Sequence, residues 1–308
     1  MIERADFPNP GINLVRPASP VEATIVKTEL CMNGKSASFV RHIDVDLAGT
    51  GLEGSFHAGQ SLAVIPPGVR ENGKPEKARL YSVSSPTHGA DGEGRVISLC
   101  VKRVVDEYRP QRPSDPESGP LFLGKCSNYL CDQGVGDRIL VAGPSGRRFV
   151  LPTNPGDHQF VFLATGTGIA PFRGFLLDLQ RSGALDAGVN VSLLMGVAYE
   201  TDLLYHNELV KLAERYTNFN YQWICSRHPA GGMEKKGYLP KLLRASSPSL
   251  EILNEPSSLM YICGLAGMQR GVFEVLVEAG LQKQFLRETT RGERIHLLPN
   301  GRCMVEVY

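Results

Sequence analysis

One tryptophan in 308 residues and no apolar run of about 18, the length that would read as a membrane span, are the first two scarcities of this sequence. Net charge is nearly absent as well, with 33 Lys and Arg against 32 Asp and Glu. No global field points to nucleic acid, and an acidic partner would have to be met by a local basic patch. The start, Met1-Ile2-Glu3-Arg4-Ala5-Asp6, lacks an apolar centre and reads as neither a secretory signal nor an Arg/Ser-rich transit peptide. The seven histidines show no metal-ligand spacing, and no Ser-His-Asp arrangement is apparent. The cysteines, at 31, 100, 126, 131, 225, 263 and 303, are odd in number and widely scattered. That does not fit a secreted disulfide framework. A reducing compartment is expected: the cytoplasm, or the plastid stroma if a transit peptide has been removed.

What remains is ordinary for a globular protein: 42% hydrophobic and 21% charged residues. At roughly 100–200 residues per domain the length suggests two domains. Residues 1–20 carry Pro8, Pro10, Pro17 and Pro20 and read as an irregular arm. From 21 to 153, short apolar runs alternate with Gly, Pro and Asn clusters, as in Ser61–Ile65, Arg79–Val83, Arg95–Val101 and Asp137–Val141. That pattern suggests an antiparallel barrel or sandwich. After Leu151-Pro152-Thr153 the pattern changes. Apolar runs at Phe160–Ala164, Val191–Met195, Tyr221–Cys225 and Ser258–Cys263 alternate with helical stretches near Pro171–Arg181, Leu203–Tyr216, Leu239–Leu243 and Gly271–Ala279. Strand–helix alternation over 154–308 implies a parallel sheet with helices on its faces. Arg109–Gly119, with three prolines, reads as an exposed loop.

Five segments carry candidate chemistry. Ala164-Thr165-Gly166-Thr167-Gly168-Ile169-Ala170-Pro171 lies where a strand meets a helix. Its glycines let backbone pass close to a phosphate, a helix start offers free N–H groups, and Pro171 suits the first helical position. An ordinary tight turn is the plainer alternative, and the lack of a following Gly-Lys-Ser/Thr excludes a Walker loop. Cys225-Ser226-Arg227, followed by Lys235, Lys236 and Tyr238, sits at the carboxyl end of the third strand of that region. Hydroxyl, Arg and Lys match a 2′-phosphate better than an NAD ribose, though a solvated basic loop has the same composition. Arg79-Leu80-Tyr81-Ser82 reads by itself as a strand with an exposed Arg, with Arg79 and Tyr81 on one face and Ser82 on the other. Cys126 and Cys131 have an iron–sulfur-like spacing, but Asp132, Gln133 and Gly134 follow, so the set is incomplete. Met304–Tyr308 is apolar and β-prone, which suggests a terminus tied into a sheet rather than frayed.

In this order, Arg79–Ser82, Leu99–Arg103, Cys126–Asp132, Gly166–Phe172, Ser226-Arg227 with Lys236 and Tyr238, Tyr261–Leu265 and Glu306–Tyr308 resemble the plant-type ferredoxin–NADP⁺ reductase family over roughly residues 20–308. The resemblance implies an N-terminal six-stranded antiparallel β-barrel holding non-covalent FAD (21–153) and a Rossmann-like α/β domain for NADP(H) (154–308). Arg79 would pair the FAD pyrophosphate, Tyr81 would stack on one flavin face and Ser82 would hydrogen-bond near N5. Ser127 would hold phosphate, and Cys100 and Cys126 fall among the cofactor-binding residues. Lys102, Thr167 and Gly168 would line the NADP path, and Ser226, Arg227, Lys236 and Tyr238 would take the 2′-phosphate end. Tyr308 would cover the other flavin face. Ser82, Cys263, Glu306 and Tyr308 form the implied catalytic set. The implied activity moves electrons between NADPH and ferredoxin in a monomer. Flavodoxin or an oxygenase system is the alternative acceptor, and a flavin-bearing module without turnover the rival class. Asp106 stands where plant members carry an adenine-stacking aromatic, and Tyr108 is the nearest aromatic. Arg147 and Arg148 could face an acidic partner.

Overall fold

The fold was analysed in a computed structural model that describes residues 5–32, 36, 38–108, 118–227, 236–287, 296–297 and 301–308. Most of the loop expected at 109–119 lies outside these residues, as do Lys235 and the first four residues of the arm.

The first half folds from β1 (Val21–Leu30), β2 (Val40–Asp46), β3 (Ser61–Ile65), β4 (Arg79–Ser82) and β5 (Val96–Lys102). A short ribbon follows, β6 (Val105–Asp106) and β7 (Phe122–Leu123), then helix α1 (Lys125–Asp132) and β8 (Arg138–Ser145). Six of these strands form one antiparallel sheet in the order β4-β3-β8-β1-β2-β5. Val83, just past β4, bridges Leu99 of β5, so the two edge strands meet and the sheet closes on itself. Closure removes the unpaired edges that an open sheet would expose. Ile25, Ile43, Val45, Leu62, Val64, Leu99, Val101 and Val141 fill the interior. The expected six-stranded antiparallel barrel is present.

The second half runs β9 (Gln159–Thr165), α2 (Ile169–Arg181), β10 (Val191–Val197), α3 (His206–Arg215), β11 (Phe219–Cys225), α4 (Leu239–Ala245), α5 (Ser247–Asn254), β12 (Ser258–Gly264), α6 (Ala266–Glu278), α7 (Gln282–Phe285), β13 (Leu286–Arg287), β14 (His296–Leu297) and β15 (Cys303–Val307). Its five-stranded sheet is parallel throughout, in the order β11-β10-β9-β12-β15. Every residue of β10 and β12 is buried, as expected for strands covered on both faces. The chain moves outward from β9 to β11, then crosses back to place β12 on the other side of β9. Their carboxyl ends are the topological switch point where ligands bind in such sheets.

Several local expectations shift. Helix α2 begins at Ile169 after a tight 3₁₀ turn over Gly166–Gly168, so Pro171 is its third residue rather than its first. The substitution is harmless there because the first-turn N–H groups have no helical partner in any case. Helix α3 begins at His206 rather than Leu203, since Leu203 and Leu204 are buried in the turn before it. Helix α6 begins earlier than expected, at Ala266. Helix α5 was not anticipated, because its Ser-Pro-Ser start reads as a loop.

Barrel and parallel sheet share a core. Val40, Ala58, Cys100 and Phe149 from the first half pack with Phe162, Phe172, Phe175 and Tyr261 from the second. Phe149 stacks on Phe175 with centroids 5.8 Å apart, and Tyr261 donates its hydroxyl to the Val150 carbonyl at 2.8 Å. The N-terminal arm is irregular as expected, yet tied at both ends. Ala5 enters the shared core and Val15 bridges Gly143 of the barrel.

Candidate active site

Two glycines determine how closely the switch point can pack. A Cβ on Gly168 would lie 2.2 Å from the Cys263 carbonyl oxygen, and one on Gly264 would lie 2.1 Å from Thr165 Oγ1. Neither position has room for a side chain, so the turn that starts α2 sits directly on the end of β12. Thr165 Oγ1 accepts the Leu265 N–H at 2.8 Å and locks that contact. Thr165 stood inside the candidate glycine segment of the sequence but was given no role of its own.

Strand β15 then brings the chain end to the same place. Pairing with β12 sets Cys263 directly beside Glu306 and Gly264 beside Val307. The Tyr308 N–H donates to Gly264 O at 3.0 Å, and its hydroxyl lies 2.8 Å from Thr167 Oγ1. Thus Thr167, Gly168, Cys263, Glu306 and Tyr308 form one group, and the expectation of a terminus tied into a sheet holds. Tyr308, the chain end, is 64% exposed as a whole residue, while burial of its hydroxyl pushes that group's pKa up to about 12. Burial pushes the Glu306 carboxyl up to about 7. Burial, reinforced by the Glu306 charge, raises the Cys263 thiol far above its ordinary value. Gly146 of the barrel lies against Glu306, where an added Cβ would be 3.6 Å from Oε1.

Next to this group is a cavity of about 320 Å³ lined by Lys102, Thr165, Gly166, Thr167, Ser226, Arg227 and Tyr238 among others. It collects residues from the barrel, the glycine turn and the end of β11, which the sequence assigned to one nucleotide. Its size falls in the range of small-molecule sites. Tyr238 is 73% exposed and presents an uncovered ring. Lys236 bridges Cys225 through its backbone just outside the cavity lining. Cys100 is not in the lining either: it is a buried residue of β5, set against Cys31 and Tyr205.

On the barrel side, Arg79 is exposed, donates only to the Lys77 and Ala78 carbonyls, and pairs with no carboxylate among the described residues. Ser82 makes no side-chain hydrogen bond among the described residues. Tyr81 packs on the barrel core beside Cys126, and burial raises its hydroxyl pKa strongly. Cys126 and Cys131 are free, buried residues of α1, and no group of described residues could hold a metal ion. Ser127 Oγ donates to Gly124 O at 3.0 Å and accepts the Val104 N–H at 3.1 Å. Its single proton is therefore committed, and the start of α1 rather than this hydroxyl has donors left for an anion. A free guanidinium, a free hydroxyl and an aromatic at one strand fit a flavin with its pyrophosphate.

Gln60 is a second residue that the sequence reading missed. It is fully buried, its side-chain amide donates to Gly11 O at 3.1 Å and Gly146 O at 2.8 Å, and its backbone carbonyl accepts the Val83 N–H at 2.8 Å. The side chain thus ties the arm to the Gly146 loop, while the backbone of the same residue holds the strand end next to Ser82. A lone Gln after a glycine has no periodic signal that would reveal this.

Known proteins resemble this chain in sequence and in fold. Residues 162–274 match a family described as the oxidoreductase NAD-binding domain. A ferredoxin–NADP reductase of Spirulina sp is 34% identical over 278 residues, covering 88% of this chain and 89% of the relative. The embryo isozyme of chloroplastic ferredoxin–NADP reductase from Oryza sativa subsp. japonica is 33% identical over 315 residues, covering 100% and 80%. A solved ferredoxin–NADP⁺ reductase of Plasmodium falciparum with 2′P-AMP superposes with a TM-score of 0.72 at 24% identity, covering 97% of this chain and 100% of that one. That last likeness concerns the fold.

Proposed function

We propose, from the premise that this chain belongs to the ferredoxin–NADP reductase family, that the barrel side and the cavity are the two halves of one electron-transfer site. The protein is an FAD-dependent oxidoreductase that passes electrons between NADPH and ferredoxin. The observation that carries this reading is the placement of the Cys263, Glu306 and Tyr308 group between the nucleotide-sized cavity and the barrel loop at Gly146.

Bound FAD supplies the chemistry, since a flavin accepts a hydride as an electron pair and releases electrons singly. The protein binds, orients and excludes water. Arg79 pairs the FAD pyrophosphate, with the start of α1 behind it. Tyr81 is the fixed wall of the flavin site, and an aromatic face there adds about 1 kcal/mol of offset stacking. Ser82 donates near the reacting edge. Tyr308 is the movable wall: the residue is exposed and its hydroxyl is hydrogen-bonded to Thr167, so nicotinamide can take its place. Cys263 and Glu306 flank that position, and Glu306, titrating near neutrality, can hold or release a proton there. Lys102, Thr167 and Gly168 line the dinucleotide path, and Ser226, Arg227 and Tyr238 receive the 2′-phosphate end, with Lys236 alongside.

We place the division between the two domains near residue 153, where antiparallel pairing gives way to parallel. No helix among the described residues is long and apolar enough to cross a membrane. Seven free cysteines fit a reducing compartment, cytoplasm or stroma. We take the working unit to be a monomer.

Purified protein should be yellow and should reduce ferredoxin in stopped-flow mixing with NADPH. Colourless protein would sink the flavin reading. Faster reduction of flavodoxin than of ferredoxin would reassign the carrier.

A further inference from the structure

Arg227 follows the edge strand β11 and is exposed, a setting in which an Arg side chain ordinarily samples many rotamers. Here it is held on two sides. Its guanidinium carbon lies 5.2 Å from the centroid of the Tyr199 ring, and Nη1 donates to the Tyr199 hydroxyl at 3.0 Å. The Arg227 N–H donates to Ala198 O at 3.0 Å, so backbone and side chain grip the same turn.

Tyr199 is in turn fixed. It opens the 3₁₀ turn Glu200–Asp202, where its N–H donates to Asp202 Oδ2 at 3.3 Å and its carbonyl accepts the Asp202 N–H at 2.9 Å. Asp202 is only 9% exposed, lines the cavity and also accepts the Ser36 hydroxyl. In NAD sites an acid in the nucleotide cavity binds the ribose. Asp202 has one oxygen on the Ser36 hydroxyl and the other on the Tyr199 N–H, so it braces the turn.

A guanidinium has five N–H donors, and Tyr199 takes one from Nη1. The Nε and Nη2 edge has no partner among the described residues, and that edge is the planar fork that binds a phosphate through two parallel bonds. Resting on the reading of this cavity as the NADP(H) site, we propose that Tyr199, braced by Asp202, is the positioning residue that presents Arg227 to the 2′-phosphate and so sets the preference for NADPH over NADH. The Tyr199 ring fixes the plane of the fork, its hydroxyl fixes the rotation, and only the nucleotide that carries the extra phosphate benefits.

The test uses the holoenzyme with ferricyanide as acceptor and compares Tyr199→Leu, Tyr199→Phe and Arg227→Ala. Tyr199→Leu should raise KM for NADPH about tenfold, the loss of a cation–π contact and a charge-assisted bond, with kcat and NADH kinetics unchanged. Tyr199→Phe keeps the ring and should raise it about threefold, the loss of the hydroxyl bond alone. Titration with adenosine 2′,5′-bisphosphate should weaken in the same ratio, and titration with 5′-AMP should not change. In an Arg227→Ala background, Tyr199→Leu should add nothing. If Arg227→Ala impairs NADPH and NADH equally, the reading of the cavity fails. If Arg227→Ala is selective while both Tyr199 variants match the parent, or the two substitutions add fully, the positioning role is overturned. Flavin absorbance checks each variant's fold, and Tyr199→Phe suffices where Tyr199→Leu does not fold.

Discussion

Glu306 has its carboxyl raised from 4.5 to about 7 by burial, which means that folding favours its protonated form. A raised acid costs no stability below its unfolded value. The cost grows as pH climbs from 4.5 through about 7 and is complete above that. Glu306→Gln should therefore be relatively more stable than the parent at pH 8 and lose that advantage by pH 4. Thermal melts of both proteins across this span measure the difference, and parallel curves would refute it. Single residues were also where the sequence was most uneven as a guide. Glu306, Cys263 and Tyr308 could be named because each stands in a recognisable short run. Gln60, Thr165 and Tyr199 could not, because Gly11, Gly146, Leu265 and Arg227, which give them their roles, lie far along the chain from them, and their types are common on any surface. The part assigned to the Ser127 hydroxyl was legible as a motif, but its proton turns out to be committed to Gly124.

Among the elements, the contact between the start of α2 and the end of β12 sets the distance between the glycine turn and Cys263. Gly168→Ala would put a methyl 2.2 Å from a backbone oxygen that no side-chain motion can move. Overpacking of this kind costs about 1–3 kcal/mol, and it should also push Thr167 away from Tyr308. A lowered melting temperature with weaker NADPH binding is the expected outcome; an unchanged protein would mean that the turn can back away freely. Most elements were legible because their apolar runs are long and regularly spaced. Helix α5 was hidden because Ser247, Pro248 and Ser249 resemble a loop, although Pro in the first turn starts helices well. Its second support is tertiary: Ser249 Oγ lies 2.8 Å from both Ser192 Oγ and Ser246 Oγ in the interior, which no local pattern displays.

For the whole molecule, a net charge of +1 says little about how a partner approaches. Arg147 and Arg148 are exposed beside Gly146, which touches Glu306, and neither forms an ion pair among the described residues. An acidic carrier docking near that loop would be steered by their charge. The rate of ferredoxin reduction should fall steeply as salt rises from about 0.01 to 0.15 M, as the screening length shrinks from roughly 30 to 8 Å. Arg147→Ala with Arg148→Ala should flatten that dependence, and an equally steep slope in the double variant would move the docking face elsewhere. The two-layer architecture was legible from the change of pattern near residue 153. The seam between the layers was not, because it is made of long-range contacts.

That seam reaches well beyond the candidate site. Asp178 of α2 accepts the Thr87 hydroxyl at 2.6 Å and the Thr87 N–H at 3.0 Å, and Arg173 donates to Ser84 O at 2.9 Å. The His42 imidazole meets the Tyr205 hydroxyl at 3.0 Å, and Phe149 is stacked inside the other layer's aromatic cluster. Each pair joins a barrel residue to one from the parallel-sheet half. The halves are therefore poor candidates for module exchange. A chimera that keeps this barrel and borrows another nucleotide-binding half needs Arg173, Phe175, Asp178 and Tyr205 to travel with the graft, or Ser84, Phe149, Thr87 and His42 lose their counterparts.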